Sequence, residues 1–303
     1  MKRSVRLPAF AKINLCLHVV GQFPDGYHEL HTIFQSISLH DTLELELSAR
    51  REISLGIDDP ELPADSANLV WRALDVLRGE LGLRQGIHAK LTKRIPIARG
   101  LGGGSSDAAA ALAGLLRLTR RQLPLARLME IAASLGADVP FFLFGGRAVG
   151  VNRGDEIYPL PDAPRRTILV VSPREIGVST RDAYAWLAPR FTKSGQLTKP
   201  ASTHRIWGFC ALCWSRQDSG ISNDFEAAVF RRHPRLARIK RTLLQGGAAE
   251  AALAGSGSAV FGVFRNPAQA RRVAREFPKD QVFLARTLSR DDYRRAMLQR
   301  AIV

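Results

Sequence analysis

Pro96-Ile97-Ala98-Arg99-Gly100-Leu101-Gly102-Gly103-Gly104-Ser105-Ser106-Asp107 is the stretch on which the reading of this chain turns. Before it, Ile87 to Ile95 alternates and predicts a strand; after it, the alanine-rich run Ala108 to Leu118 predicts a helix. Glycines let a backbone approach a ligand closely and point successive N–H groups toward it. A helix starting there adds unsatisfied N–H groups and the positive end of its dipole. Ser105 and Ser106 bring hydroxyls that can donate to a phosphate or bind Mg²⁺. The stretch reads as a phosphate cradle. It is not the usual P-loop, because no Gly-Lys-Ser/Thr occurs, and the register Gly-x-Gly-x-x-Gly fails at Ser105. The lack of Gly-x-Ser-x-Gly weakens a hydrolase reading. A flexible linker is the plain alternative, but a linker has no reason to abut a strong helix former.

Working outward, Ala11 to Val20 predicts a strand with Ile13, Leu15, Leu17 and Val19 on one face and Lys12, Asn14, Cys16 and His18 on the other. A breaker cluster follows at Pro24-Asp25-Gly26, then strands over His31 to Leu39 and Thr42 to Ser48. Asn68 to Leu81 and Leu125 to Leu135 have helical spacing. Asp138 falls in a glycine- and proline-bounded turn among apolar residues, where a carboxylate needs a partner, and Lys12 is the candidate. Pro159 to Pro164 forms a proline-rich joint, which divides the chain into residues 1–160 and 161–303. Beyond it, strands are expected over Thr167 to Ser172, Ala259 to Arg265 and Val282 to Arg286. Helices are expected over Asp224 to Phe230, Pro234 to Leu244 and Pro267 to Phe277, and Thr192 to Ser222 reads as a long loop. The mixture predicts an α+β sandwich in each half.

The composition sets limits. Of 303 residues, 46% are hydrophobic and 24% charged, enough apolar material for a sizeable core and incompatible with wholesale disorder. The formal net charge of +16 permits an anionic partner, whether RNA, a membrane or a phosphorylated metabolite. No run approaches the ~18 apolar residues of a membrane span, and the basic start lacks an apolar signal core, so a cytoplasmic location away from membranes is expected. Cys210 and Cys213 have C-x-x-C spacing, but His204 and His233 supply no matching ligand pair, so passive thiols are expected. The arginines at 231, 232, 235, 238 and 241 mostly line a helix and read as a solvated face.

Six segments occur in an order that resembles the GHMP kinases: Pro8-Ala-Phe-Ala-Lys-Ile-Asn-Leu15, Asp25-Gly-Tyr-His28, Gly100-Leu-Gly-Gly-Gly-Ser-Ser-Asp-Ala-Ala109, Leu135-Gly-Ala-Asp-Val-Pro-Phe-Phe142, Ser222-Asn-Asp-Phe-Glu226 and Gly255-Ser-Gly-Ser258. The resemblance covers Pro8 to about Ala285. It implies a two-domain fold with ATP and substrate in the cleft between the domains. It also implies Mg²⁺-assisted phosphorylation of a hydroxyl on a cytidine-diphosphate sugar alcohol, the Asp25-Gly-Tyr-His28 turn marking the cytidyl substrate. Lys12 and Asp138 match the family's catalytic pair, and Pro96 to Ser106 its ATP-phosphate loop. Tyr27 and His28 match residues that hold cytosine, and Thr180 and Tyr184 others near that ring. Asn14 stands with the substrate residues, Lys93 and Asn68 near the nucleotide, and Gly255 to Ser258 as a second glycine loop. The resemblance implies no metal-ligand set that these residues identify, and a monomer or weak homodimer is expected. Two features depart from the family pattern. Ala98-Arg99 stands where a glycine is common, which either brings a guanidinium near the phosphates or stiffens the loop. Pro200 to Ser219 matches nothing in the family. The alternatives are a GHMP kinase of the homoserine or mevalonate type and, from another class, a basic RNA-binding protein. The latter lacks an RNP-like strand or KH-type loop.

Overall fold

In a computed structural model the described residues are 4–193 and 220–299. The segment with Cys210, Cys213, Trp207 and Trp214 lies outside them, as does most of the loop expected from Thr192 to Ser222. The first half contains strands β1 (Ser4–Gln22), β2 (His28–Ser48), β3 (Ile53–Ile57), β4 (Gly86–Thr92), β5 (Arg147–Val151) and β6 (Glu156–Pro159). Its helices are α1 (Leu69–Glu80), α2 (Gly103–Thr119), α3 (Leu125–Leu135) and α4 (Val139–Phe144). The second half contains β7 (Thr167–Ser172), α5 (Thr180–Lys193), β8 (Ser222–Asn223), α6 (Glu226–Arg232) and α7 (Pro234–Gln245). There follow β9 (Glu250–Leu253), β10 (Val260–Phe264), α8 (Pro267–Ala274), β11 (Gln281–Arg286) and α9 (Arg290–Gln299).

Two sheets result. The larger runs β3-β4-β2-β1-β8, with β5 paired to β2 and β6 to β5; the smaller runs β11-β7-β10-β9 and is antiparallel throughout. All strands before residue 160 belong to the first sheet, and the two-residue β8 crosses back to join it. The fold is thus α+β in two layered halves, as expected from the sequence.

The long β1–β2 ribbon joins the halves. Val5, Leu7 and Ala9 pack in the first core with α1 and α2, Ala11 and Ile13 pack against β7 and β10, and Leu17 and Val19 join the second core. Pairing irregularities at Phe10/Lys12, Asn14/Cys16 and Val19/Gly21 bend the ribbon between those environments. Lys12 and Asn14, on the polar face of the strand, are buried there, at 4% and 2% exposure. The last helix returns to the first half, where buried Tyr293 donates from its hydroxyl to the Phe142 carbonyl at 2.6 Å.

Several boundaries differ from the sequence reading. β2 is one strand rather than two, because Asp41, which looked like a break, is neutralised in place. The strand expected to reach Ile95 ends at Thr92, and α2 begins at Gly103, five residues ahead of Ala108, so the stretch from Gly103 to Asp107 is helical. Strands β3, β5, β6, β8 and β9 and helices α4, α5 and α9 were not anticipated.

Candidate active site

Lys12 lines a cleft of about 450 Å³ to which both halves contribute residues. Its backbone N–H donates to the Leu101 carbonyl at 3.0 Å, which ties β1 to the glycine loop. Its Nζ donates to Asn14 Oδ1 at 2.8 Å and lies 3.3 Å from Asp138 Oδ2. Asn14 passes the chain on, donating to Thr32 Oγ1 at 2.7 Å, and Thr32 donates to the Cys16 carbonyl at 2.7 Å. A buried ammonium without a partner would cost several kcal/mol, so this network fixes where Lys12 can point. Asp138 sits at the N-terminal end of α4 without capping it, and its side chain stays one-third exposed toward the cleft. One oxygen is thereby held by a cation while the group remains open to a ligand.

Ten of the eleven residues from Pro96 to Ser106 line the cleft; Ser106 turns inward and is 1% exposed. Its hydroxyl has no hydrogen-bond partner among the described residues. The glycines answer to the protein as much as to a ligand. Gly100 has φ +79°, and a Cβ there would lie 1.8 Å from the Ala254 carbonyl oxygen. Gly102 has φ +72°, and its Cβ would meet Phe142 Cζ at 2.8 Å and Lys12 Cγ at 3.0 Å. Only at Gly104 is the space open, the nearest atom being Leu69 Cδ1 at 3.7 Å. Gly255, in the second glycine loop, packs back against Gly100, so the two loops meet backbone to backbone. Arg99 bridges them: its guanidinium donates to Ser258 Oγ at 2.9 Å and to the Arg174 carbonyl at 3.0 Å. These bonds stiffen the loop, while Arg99 also lines the cleft.

Beneath the loop, buried Lys93 Nζ is ion-paired to both Asp41 and Asp107, at 2.7 Å from Asp107 Oδ2. Asp41 also accepts from the backbone N–H groups of Arg94 and, at 2.7 Å, Ile95. One cation facing two carboxylates leaves a negative charge over. Burial pushes Asp107 up to about 8, with the pull of Lys93 opposing and the Asp41 charge adding to the rise. The sequence marked Lys93 as near the nucleotide; nothing local linked it to Asp41 and Asp107.

At the other end of the cleft Thr180, Tyr184 and Phe225 come together. The His28 ring stacks on Tyr184 with centroids 4.4 Å apart and planes at 22°. Burial raises the Tyr184 hydroxyl above its usual value, with the nearby Asp138 charge adding to it, and burial lowers His28. Thr180 Oγ1 lies 3.2 Å from Ser256 Oγ of the second glycine loop. Tyr27 is not brought to this group: it is 60% exposed, and the Arg153 guanidinium lies 4.4 Å from its ring centroid. Asn68 lines the cleft and caps α1 by accepting from the Val70 N–H at 2.9 Å. Asn223 is a positioning residue that the motif Ser222-Asn-Asp-Phe-Glu226 contained without a stated task. Its amide donates to the carbonyls of Leu253 at 2.9 Å and Gly255 at 2.8 Å, while its oxygen accepts from the Phe225 N–H.

This arrangement has known counterparts. Residues 68–146 match the GHMP kinase N-terminal domain and residues 209–282 the GHMP kinase C-terminal domain. A protein of Solibacter usitatus described as 4-diphosphocytidyl-2-C-methyl-D-erythritol kinase is 46% identical, over 99% of this chain and 93% of that protein. One of Pelotomaculum thermopropionicum with the same description is 39% identical, over 93% and 97% respectively. A crystal structure of 4-(cytidine 5'-diphospho)-2C-methyl-D-erythritol kinase superposes with a TM-score of 0.74 at 33% identity, covering 93% of this chain and 98% of that one. A homoserine kinase from Cytophaga hutchinsonii, with a TM-score of 0.69 at 19% identity over 95% and 96%, shares the fold. By its glycine loops, its Lys12–Asp138 pair and these relatives, the chain belongs to the 4-diphosphocytidyl-2-C-methyl-D-erythritol kinase family of the GHMP kinases.

Proposed function

We propose that the chain transfers the γ-phosphoryl group of ATP to the 2-hydroxyl of 4-diphosphocytidyl-2-C-methyl-D-erythritol, a step of non-mevalonate isoprenoid biosynthesis. The observation that carries this reading is the buried Lys12 ammonium 3.3 Å from the cleft-facing Asp138, beside the glycine loop. Phosphoryl transfer asks a protein mainly for position and charge stabilisation. In this scheme the N–H groups of the loop from Ile97 to Ser105 and the start of α2 hold the ATP phosphates. Lys12 stabilises charge on the transferring group. Asp138 orients the acceptor hydroxyl and takes its proton, being the carboxylate that faces the cleft. The stacked His28–Tyr184 pair and Thr180 form the cytosine end, and Asn14 keeps Lys12 aimed.

Mg²⁺ fits this cleft as an ion carried in on the nucleotide. Among the described residues no group of three or more His, Cys, Asp or Glu side chains gathers to cage a metal. Ser105 and Asp138 line the cleft with hard oxygens, the sparse set Mg²⁺ uses alongside phosphates and water. Ser105 and Asp138 would hold it, and the ion would offset phosphate charge. The working unit in this proposal is a single cytoplasmic chain, since both halves of one molecule line the cleft. No helix among the described residues is long and apolar enough to cross a membrane.

The test is ADP release coupled to the cytidyl substrate, run beside homoserine and mevalonate. Turnover of either of those and not of the cytidyl compound refutes the substrate assignment. Asp138→Asn should lower kcat by about 10²–10⁴-fold with ATP affinity kept. Adding Lys12→Ala should make it little worse than the poorer single variant, since groups that act together are non-additive. A near-wild-type rate for Asp138→Asn sinks the catalytic assignment.

A further inference from the structure

Lys12 and Asp138 come from different elements, and one side chain of the last helix touches both. Tyr293 lies in the first turn of α9 and is buried. Its ring packs against Phe10, which stands just before Lys12 on β1, with centroids 5.3 Å apart. It also covers Gly145, where α4 ends: a Cβ there would meet the Tyr293 ring carbons Cδ1 and Cγ at 2.2 Å. Its hydroxyl donates to the Phe142 carbonyl at 2.6 Å. That carbonyl is among the last four of α4, for which a helix supplies no donor of its own. Burial pushes the hydroxyl above its usual value, so it keeps the proton it donates. α9 is itself pinned at both ends. Arg290 donates to the Arg147 carbonyl at 2.6 Å, and Arg117 of α2 donates to the Met297 carbonyl at 2.6 Å.

α4 needs such a support. It has six residues, too few to persist on its own hydrogen bonds, and Asp138 at its start does not cap it. Phe142 follows Asp138 by one helical turn, so the two side chains share a face. The Phe142 ring reaches the glycine loop, where a Cβ on Gly102 would meet its Cζ at 2.8 Å and Lys12 Cγ at 3.0 Å. Phe142 therefore stands between the turn that carries Asp138 and the loop beside Lys12. A shift of its backbone moves Asp138 relative to the ammonium. The loop itself is restrained elsewhere, by Gly255 against Gly100 and by Arg99.

We propose that Tyr293 is a positioning residue for the phosphoryl transfer: it clasps β1 at Phe10 and α4 at Phe142, and so fixes the Asp138 carboxylate against the Lys12 ammonium. The assignment rests on the reading of Asp138 as the group that takes the acceptor proton. Tyr293 touches neither ligand and acts only through the elements it joins.

Tyr293→Phe keeps the ring on Phe10 and removes only the hydroxyl. Misplacing a reacting group by about 1 Å can cost about 100-fold, and one lost hydrogen bond moves α4 by less, so kcat with the cytidyl substrate should fall about tenfold. The KM for ATP should stay within twofold, since the restraints on the loop are untouched. In an Asp138→Asn background the same change should alter kcat by less than twofold, because a residue that acts through Asp138 has nothing left to position. A thermal melt confirms the fold of each variant. Hydrogen exchange on the same proteins needs no substrate: amides of residues 139–146 should exchange at least fivefold faster in Tyr293→Phe, with those of β10 unchanged. A Tyr293→Phe kcat within twofold of wild type, whatever the melt shows, overturns the proposal. So does a full tenfold further loss in the Asp138→Asn background. Turnover of homoserine or mevalonate in place of the cytidyl compound, or near-wild-type turnover by Asp138→Asn, refutes the functional reading instead. The exchange then decides the clasp, and unchanged exchange in α4 overturns it whatever the acceptor.

Discussion

Gly100→Ala tests whether the nucleotide loop is held by the second half of the chain. The residue sits at φ +79°, where an L side chain costs about 1–2 kcal/mol. The contact matters more. Its Cβ would lie 1.8 Å from the Ala254 carbonyl oxygen, and backbone atoms tolerate no less than 3.0 Å, so the loops must separate by at least 3.0 − 1.8 = 1.2 Å. Neither neighbour is a flexible side chain that can swing away, because Gly255 already packs against Gly100 and the Ala259 N–H is bonded to the Arg99 carbonyl at 3.2 Å. A displacement of about 1 Å at a reacting centre can cost about 100-fold in rate. We expect kcat to fall by about that factor, with the ATP KM raised and the fold retained. Gly104→Ala is the contrast: its Cβ meets only Leu69 Cδ1 at 3.7 Å, and alanine favours the helix by about 0.8–1.0 kcal/mol. It should melt no lower than wild type, so any loss of ATP affinity there reports ligand space rather than protein space. Steady-state kinetics and a thermal melt on both variants decide the matter. Wild-type kcat and ATP KM in Gly100→Ala would refute the reasoning.

Three further outcomes follow from the same geometry. Asn223→Ala should destabilise the protein by about 1–3 kcal/mol, by leaving the Leu253 and Gly255 carbonyls without their donor, and should slow turnover as the second loop loosens; an unchanged denaturant midpoint contradicts this. Asp107, raised to about 8 from the 3.8 of an ordinary aspartate, binds more protons folded than unfolded, so its contribution erodes stability as pH climbs between those values. Asp107→Asn cannot titrate, and its melting temperature relative to wild type should therefore rise from pH 5 to pH 8; a relative fall is the opposing result. His18, raised from 6.5 to about 10, stabilises fully below its unfolded value and loses that contribution as pH passes through the folded one. Wild type should lose more melting temperature between pH 7 and 10 than His18→Gln does, and equal losses would contradict the shift.

The site was legible where its chemistry is written contiguously. The glycine loop, Lys12 with Asn14 two residues on, and a carboxylate in an apolar turn each carry a local anomaly, and the structure brings all three to one cleft. What escaped the reading is chemistry assembled from distant segments. Asp41, Lys93 and Asp107 come from β2, from the residue after β4 and from α2, and each alone is an ordinary charged residue. Asp41 also misled the reading of β2, because a polar His40-Asp41 pair looks like a turn until Lys93 and two backbone N–H groups neutralise it within the strand. β9 escaped for another reason: Glu250-Ala-Ala-Leu253 has little intrinsic strand preference, and its pairing with β10 makes it a strand. β3 did alternate, through Ile53, Leu55 and Ile57, but five residues are too few for periodicity to assert itself.

The same distinction explains what each half contributes. The side chains we assign to the reaction, Lys12 and Asp138, both precede residue 160, as do the loop residues that line the cleft beside them. What the second half adds near them is mostly backbone and restraint: the Ala254 and Gly255 segment against Gly100, Ser258 accepting from Arg99, and Asn223 holding the Gly255 carbonyl. A glycine loop is a good phosphate ligand because it is free of side chains, and for the same reason it cannot hold its own shape. Here the restraint comes from a second glycine loop, which can approach closely enough only because it too lacks side chains. The paired glycines therefore form one device, and a substitution at Gly100 or Gly255, where the loops touch, disturbs the position of Lys12 through the Leu101 carbonyl that binds its backbone N–H.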